Sequence, residues 1–100
     1  MELPIDAARM GRARCDRAGA RGRWDAEARR FTETQSVSRS TGLPEWEGSF
    51  SVLGGALRVS WSAAELEVAP GDIVTFAGLS AREGRSGRWF FSATTVEVAS

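Results

Sequence analysis

The chain contains no histidine, lysine, tyrosine or asparagine. Without His and Lys the usual general bases, Schiff-base amines and imidazole metal ligands are gone. Serines are plentiful, but no familiar base stands ready to activate one. The single cysteine, Cys15, makes neither an internal disulfide nor a zinc site by itself. No apolar run nears the length of about eighteen residues that crosses a bilayer, and no apolar segment near Met1 resembles a secretory signal. No glycine-rich loop between a strand and a helix offers a phosphate site. These absences lead us to expect a cytoplasmic protein that is not an enzyme, with no cofactor, no metal and no membrane partner.

What remains is a soluble composition. The apolar fraction is 42% over 100 residues, enough for one folded domain and a tail. The net charge is zero but unevenly spread. Residues 1–30 hold eight arginines against five acids; residues 31–100 hold five against eight. A basic arm on an acidic body is the broad expectation.

The N-terminal segment is mostly Arg, Ala and Gly. Asp6 caps a short helix from Ala7 in this reading, weakened by Gly11, Gly19 and Gly22, so residues 1–23 are expected as a frayed helix or mobile arm. Met10 is a second candidate start. Trp24, Ala28 and Phe31 fall at i, i+4 and i+7, which suits either a helical turn or a loop into the first strand.

From Phe31 onward the pattern is that of strands. Thr32–Val37 is polar but β-compatible, and Ser38–Gly42 reads as a turn. Trp46, Gly48, Phe50 and Val52 then alternate with Glu45, Glu47, Ser49 and Ser51. Gly54-Gly55 makes a tight turn into Leu57, Val59 and Trp61, which alternate with Arg58 and Ser60. Ser62–Leu66 has room for one helical turn at most. Pro70-Gly71-Asp72 turns into Ile73–Leu79, and a long strand runs from Arg88 to Val98. Closely connected strands with little helix predict an all-β, five-stranded small barrel over residues 31–100, with residues 1–30 as a basic, partly helical arm.

The run Arg85-Ser86-Gly87-Arg88-Trp89-Phe90-Phe91 is the most informative. Counting back from Val96 and Val98 by twos puts Phe90 inside and Trp89 and Phe91 outside. Exposed rings beside arginines are what a single-stranded nucleic-acid platform needs, with bases on the rings and guanidiniums on phosphates. Arg58, Arg82, Arg85 and Arg88 are the candidate phosphate contacts around Trp89 and Phe91. Arg21, Arg23 and Trp24 in the arm are candidates to order on the same backbone. Trp46, Phe50, Val59, Trp61, Phe76, Phe90, Val96 and Val98 are the expected core. The acids Glu45, Glu47, Glu65, Glu67 and Asp72 read as solubilising rather than metal-binding.

The stretch from Val68 to Val98 resembles the C-terminal half of OB-fold single-strand DNA-binding proteins. The Gly71-Asp72 turn, the strand through Ile73, Val74, Phe76 and Gly78, the basic loop Arg82–Arg88 and the aromatic-led strand carry the likeness. Thr41, Gly42, Pro44 and Trp46 resemble a hairpin of small replication and excision accessory proteins of actinobacterial plasmids and integrative elements. The resemblance implies an OB-like barrel that binds single-stranded DNA, or RNA, in mobile-element or phage replication. The alternative is a protein-interaction module that uses the same aromatic patch for a homodimer or another partner.

Overall fold

The computed structural model describes residues 2–5, 11–25, 27–52, 55–84, 87 and 89–99, with 2–4 and 24 by their backbone only. These residues form strands and connections without a helix. The ten strands are β1 (Glu2–Pro4), β2 (Ala13–Ala20), β3 (Gly22–Asp25), β4 (Arg30–Gln35), β5 (Glu45–Val52), β6 (Gly55–Ser62), β7 (Ile73–Ala77), β8 (Ser80–Glu83), β9 (Trp89–Ser92) and β10 (Thr95–Val98). Eight of them share one sheet in the order β1-β8-β9-β6-β5-β2-β7-β10, and β3 pairs with β4 alone. The fold is all-β and barrel-like, as expected, but the strand count is higher than five.

Part of the excess comes from two bends. In the β7 to β8 path the buried residues are Val74, Phe76, Leu79 and Ala81. The step from 76 to 79 is odd, so the side-chain alternation slips by one at Gly78. In the β9 to β10 path Phe91 packs on the core, Ala93 is buried and Val96 packs on the core again. The alternation slips there too, between 93 and 96. The bends face each other, because the Thr94 N–H donates to the Ala77 carbonyl at 2.9 Å. Gly78 has φ 62°, and a Cβ placed on it would overlap the Thr94 side chain.

The bent hairpin can therefore reach both sides of the meander β2–β5–β6. Its β7 limb pairs antiparallel with β2 through Ala13↔Val74. Its β9 limb runs parallel to β6 through Val59↔Phe91 and Ser60↔Ser92. The sheet curls around Cys15, Phe50, Val59 and Val74, the largest fully buried side chains. Phe76 meets Phe50 edge-on at 5.1 Å between centroids, and Trp61 meets it at 6.0 Å. Trp46 lies at the rim, its Nε1–H donating to the Ala63 carbonyl at 3.0 Å. Residues 63–72 carry no helical turn; Leu66 packs on the core and Val68 is buried.

Several expectations need correction. Residues 13–20, read as part of a mobile or helical arm, are a strand in the middle of the sheet. Ala13 and Cys15 point inward and Arg14 outward, a period of two written in small residues. Cys15 stands across from Phe50, so the bulk that fills this layer comes from the neighbouring strand. Trp24, Ala28 and Phe31 do not form a helical face. Trp24 pairs with Phe31 across the β3–β4 hairpin, and Asp25 Oδ1 shapes its turn by accepting the N–H groups of Glu27 and Ala28 at 3.0 and 3.2 Å. The cap at Asp6, the start at Met10 and half of the Gly54-Gly55 turn lie outside the described residues. No described helix is long and apolar enough to cross a membrane.

The bend at Gly78 is open to a direct test. Gly78→Ala places a side chain at positive φ and against Thr94, and should cost about 2 kcal/mol or more. Gly71→Ala also sits at positive φ (94°) but meets nothing within 4 Å, so it should cost only the backbone strain of about 1 kcal/mol. Urea denaturation of the two variants against the wild type measures the difference.

Candidate nucleic-acid interface

The last strand departs from its expected facing. Phe90, expected in the core, is 48% exposed, and Val98 is 47% exposed. Phe91, expected on the outer face, is half-buried and packs on the core. The slip at Ala93–Thr94 explains the exchange: counting by twos from Val96 is valid only if the strand is straight. Trp89 has the inward phase of Phe91 but lies past the last core layer, opposite Glu83, and is 42% exposed.

The outer face carries a row that crosses five strands. Arg17 on β2 pairs with Ser49 on β5, and Ser49 pairs with Arg58 on β6. One residue before the parallel pair Val59↔Phe91 stand Arg58 and Phe90. Phe90 then pairs with Arg82 on β8. Paired residues share a face, so Arg17, Ser49, Arg58, Phe90 and Arg82 lie side by side. At about 4.8 Å per strand the row is about 19 Å long. Arg17, Arg58, Phe90 and Arg82 are all exposed. Among the described residues no ion pair engages the three arginines.

Arg17 owes its place to a β-bulge. The register shifts between Cys15 and Arg17, so Asp16 is the extra residue and Arg17 regains the outer face. Asp16 stays on that face as well. It accepts the Ser51 hydroxyl at 2.6 Å and Arg14 Nε at 3.2 Å. The Ser51 hydrogen bond, with help from Arg14, holds its carboxyl below the usual carboxylate range. Gly19 leaves a shallow dip of about 140 Å³ beside Arg17 and Arg58, with Glu47 at its edge.

The arm candidates do different things. Arg21 is half-buried and pairs with Glu45 at 3.5 Å. Glu45 also accepts the Ser36 hydroxyl at 2.6 Å, so this group ties the β3–β4 hairpin to β5 and Arg21 is occupied. Arg23 is exposed on β3, away from the outer row. The side chain of Trp24, and the whole of Arg85 and Arg88, lie outside the described residues. Cys15 is buried, and burial first, then the charges of Asp72 and Asp16, push its thiol pKa up. It is a core residue rather than a nucleophile. No group of His, Cys, Asp and Glu among the described residues is arranged to hold a metal ion.

Arg58 and Arg82 were legible from alternation and from their place beside the aromatic run. Arg17 was missed, because a bulge changes facing without changing composition. Phe90 was assigned to the wrong side for the reason given above.

Two outcomes follow. Phe91→Ala should destabilise the fold by about 2–3 kcal/mol, while Phe90→Ala should stay within about 0.5 kcal/mol, as judged by urea denaturation. The second concerns Asp16. A carboxyl held below its unfolded pKa stabilises the fold above that value, and the contribution is lost as pH falls through the lowered folded value. Ser51→Ala should thus lower Tm at neutral pH, and the gap from wild type should close as pH drops below about 3.9. An unchanged gap at the acid end would reject the role given to the Ser51 bond.

Scans against protein-family models, curated proteins and solved structures found no match to this chain.

Proposed function

We propose that the outer face of β5, β6 and β9 binds single-stranded nucleic acid, as part of an OB-like barrel. The observation that carries the reading is the row in which Arg58 and Arg82 flank the exposed ring of Phe90, with Arg17 three strands further along. Stacking on one ring is worth about 1–3 kcal/mol per base and tolerates any base, while flanking guanidiniums meet the phosphates. Three arginines on one face without an ion pair among the described residues, in a protein of zero net charge, are a local cationic track rather than a generally basic surface.

The connectivity supports the same reading. β2, β5 and β6 form a meander, and the bent hairpin joins it antiparallel at β2 and parallel at β6. With β7–β8 and β9–β10 taken as single bent strands, the pairing follows the strand order of a five-stranded Greek-key barrel, with β1 added beside β8. Barrels of that design bind oligonucleotides on their second and third strands, between the first and last loops. β5 and β6 are those strands here, with residues 36–44 leading into β5. Trp89 has the phase of Phe91 and so points to the other side of β9 from Phe90, offering an exposed ring only at the strand's end. The expected setting, replication of a mobile element or phage, rests on the sequence resemblance alone.

Fluorescence anisotropy of a labelled thirty-base oligothymidine tests this. Phe90→Ala should weaken binding about tenfold while leaving the fold intact. Each phosphate contact contributes about −0.7 to the slope of log K against log salt, so Arg58→Ala with Arg82→Ala should flatten the slope by about 1.4. Glu47→Gln should act in the opposite sense and tighten binding. No binding by folded wild type at low salt would overturn the reading. Concentration-dependent self-association that ignores salt would instead mark the face as a dimer contact.

A further inference from the structure

Beside the outer row lies a groove of about 420 Å³. Eight of its twelve lining residues are serine or threonine, and none is an arginine. Ser60, Ser92 and Ser80 form its floor. They occupy the next row of the same face, two residues along each strand from Arg58, Phe90 and Arg82, a displacement of about 7 Å. Ser60 is the partner of Ser92, and Ser92 of Ser80. Thr41, Ser62 and Ser38 close the far side.

These hydroxyls bond weakly to one another. Ser80 and Ser92 approach at 3.2 Å, and Thr41 and Ser62 at 3.1 Å. A hydroxyl pair has two hydrogens and four lone pairs, and one bond between them uses one of each. What is left over is one donor and three acceptor sites for Ser80 and Ser92, and one acceptor fewer for Thr41 and Ser62, because Thr41 Oγ1 also accepts the Leu43 N–H at 3.3 Å. Ser60 spends its own hydrogen on the Phe91 carbonyl at 3.4 Å, which leaves further lone pairs exposed. The groove is therefore rich in acceptors and has no cation. Phosphate oxygens, which only accept, find only the one spare hydroxyl hydrogen of each pair and no cation there. A ligand that brings O–H or N–H donors uses the more numerous acceptor sites.

We infer that the groove receives ribose 2′-hydroxyls of the nucleotide next to the one stacked on Phe90, so that the face prefers RNA to DNA. The inference rests on the nucleic-acid reading of the outer row. A 2′-hydroxyl is both donor and acceptor, and is the group by which a protein tells the two backbones apart. Phosphates lie on the arginine row, and the sugars reach the serine row beside it.

Oligouridine and oligodeoxyuridine of equal length isolate the sugar, since base and phosphate are the same. The wild type should bind the ribo form about fivefold more tightly, the worth of one ordinary hydrogen bond. Ser60→Ala with Ser92→Ala, checked for folding by circular dichroism, should bring the two affinities together while oligodeoxyuridine binding stays as in the wild type. Equal affinities in the wild type would overturn the groove assignment and leave the platform standing. A ribose preference that survives the double substitution would likewise overturn it. Failure of both oligomers to bind would remove the platform, and the inference with it.

Discussion

The paired bends at Gly78 and Thr94 are the constraint on which the rest depends. A straight hairpin from Ile73 to Val98 could lie beside one strand of the meander but not close on both ends of it. The bend lets one limb pair with β2 and the other with β6. It requires a residue at positive φ on one strand and a side chain packed over it from the other. Gly78 and Thr94 meet that requirement together. Pairing at both ends occupies the edges that β2 and β6 would otherwise offer to other chains.

The same bends decide which rings meet solvent. Each slip exchanges the two faces of the strand beyond it. Ala93 and Phe91 are turned to the core, and Phe90 is turned to the outer face between Arg58 and Arg82. Fold and candidate site thus have one cause. A side chain forced onto Gly78 would disturb the packing of Thr94 and, through it, the direction in which Phe90 points.

Much of the architecture was legible because long alternation survives in the sequence. Trp46 to Val52 and Leu57 to Trp61 alternate strictly, and those segments are β5 and β6 with Phe50, Val59 and Trp61 in the core. Arg58 could be read outward for the same reason. β2 was hidden because its inward residues are small: Ala13 and Cys15 carry little hydrophobic signal, and they suit the layer only because Phe50 fills it from across the ladder. The β3–β4 hairpin was hidden because Trp24, Ala28 and Phe31 satisfy helical spacing by coincidence, while the turn depends on Asp25 and on a positive φ at Arg29. Gly78 was visible as a glycine, but its partner on the other strand, an ordinary threonine, was not. Register and bulges are properties of pairs of strands, and a single strand's composition does not contain them.

Charge remains to be reconciled with the proposed role. A chain of zero net charge has little long-range field with which to gather a polyanion. At physiological salt, however, charges separated by more than about 8 Å scarcely act on one another. Contacts on the outer row would therefore respond to Arg17, Arg58 and Arg82 and to the nearby Glu47 and Asp16, not to the acids elsewhere. The expected cost falls on the rate of encounter, and the affinity rests on short-range contacts. Stacking on Phe90 is available only from an unpaired base, whereas phosphate attraction is open to duplex and single strand alike. A protein that keeps the ring and limits the charge therefore favours single strands over duplex. Under the proposed function the modest charge would be part of the selectivity rather than a defect in the surface.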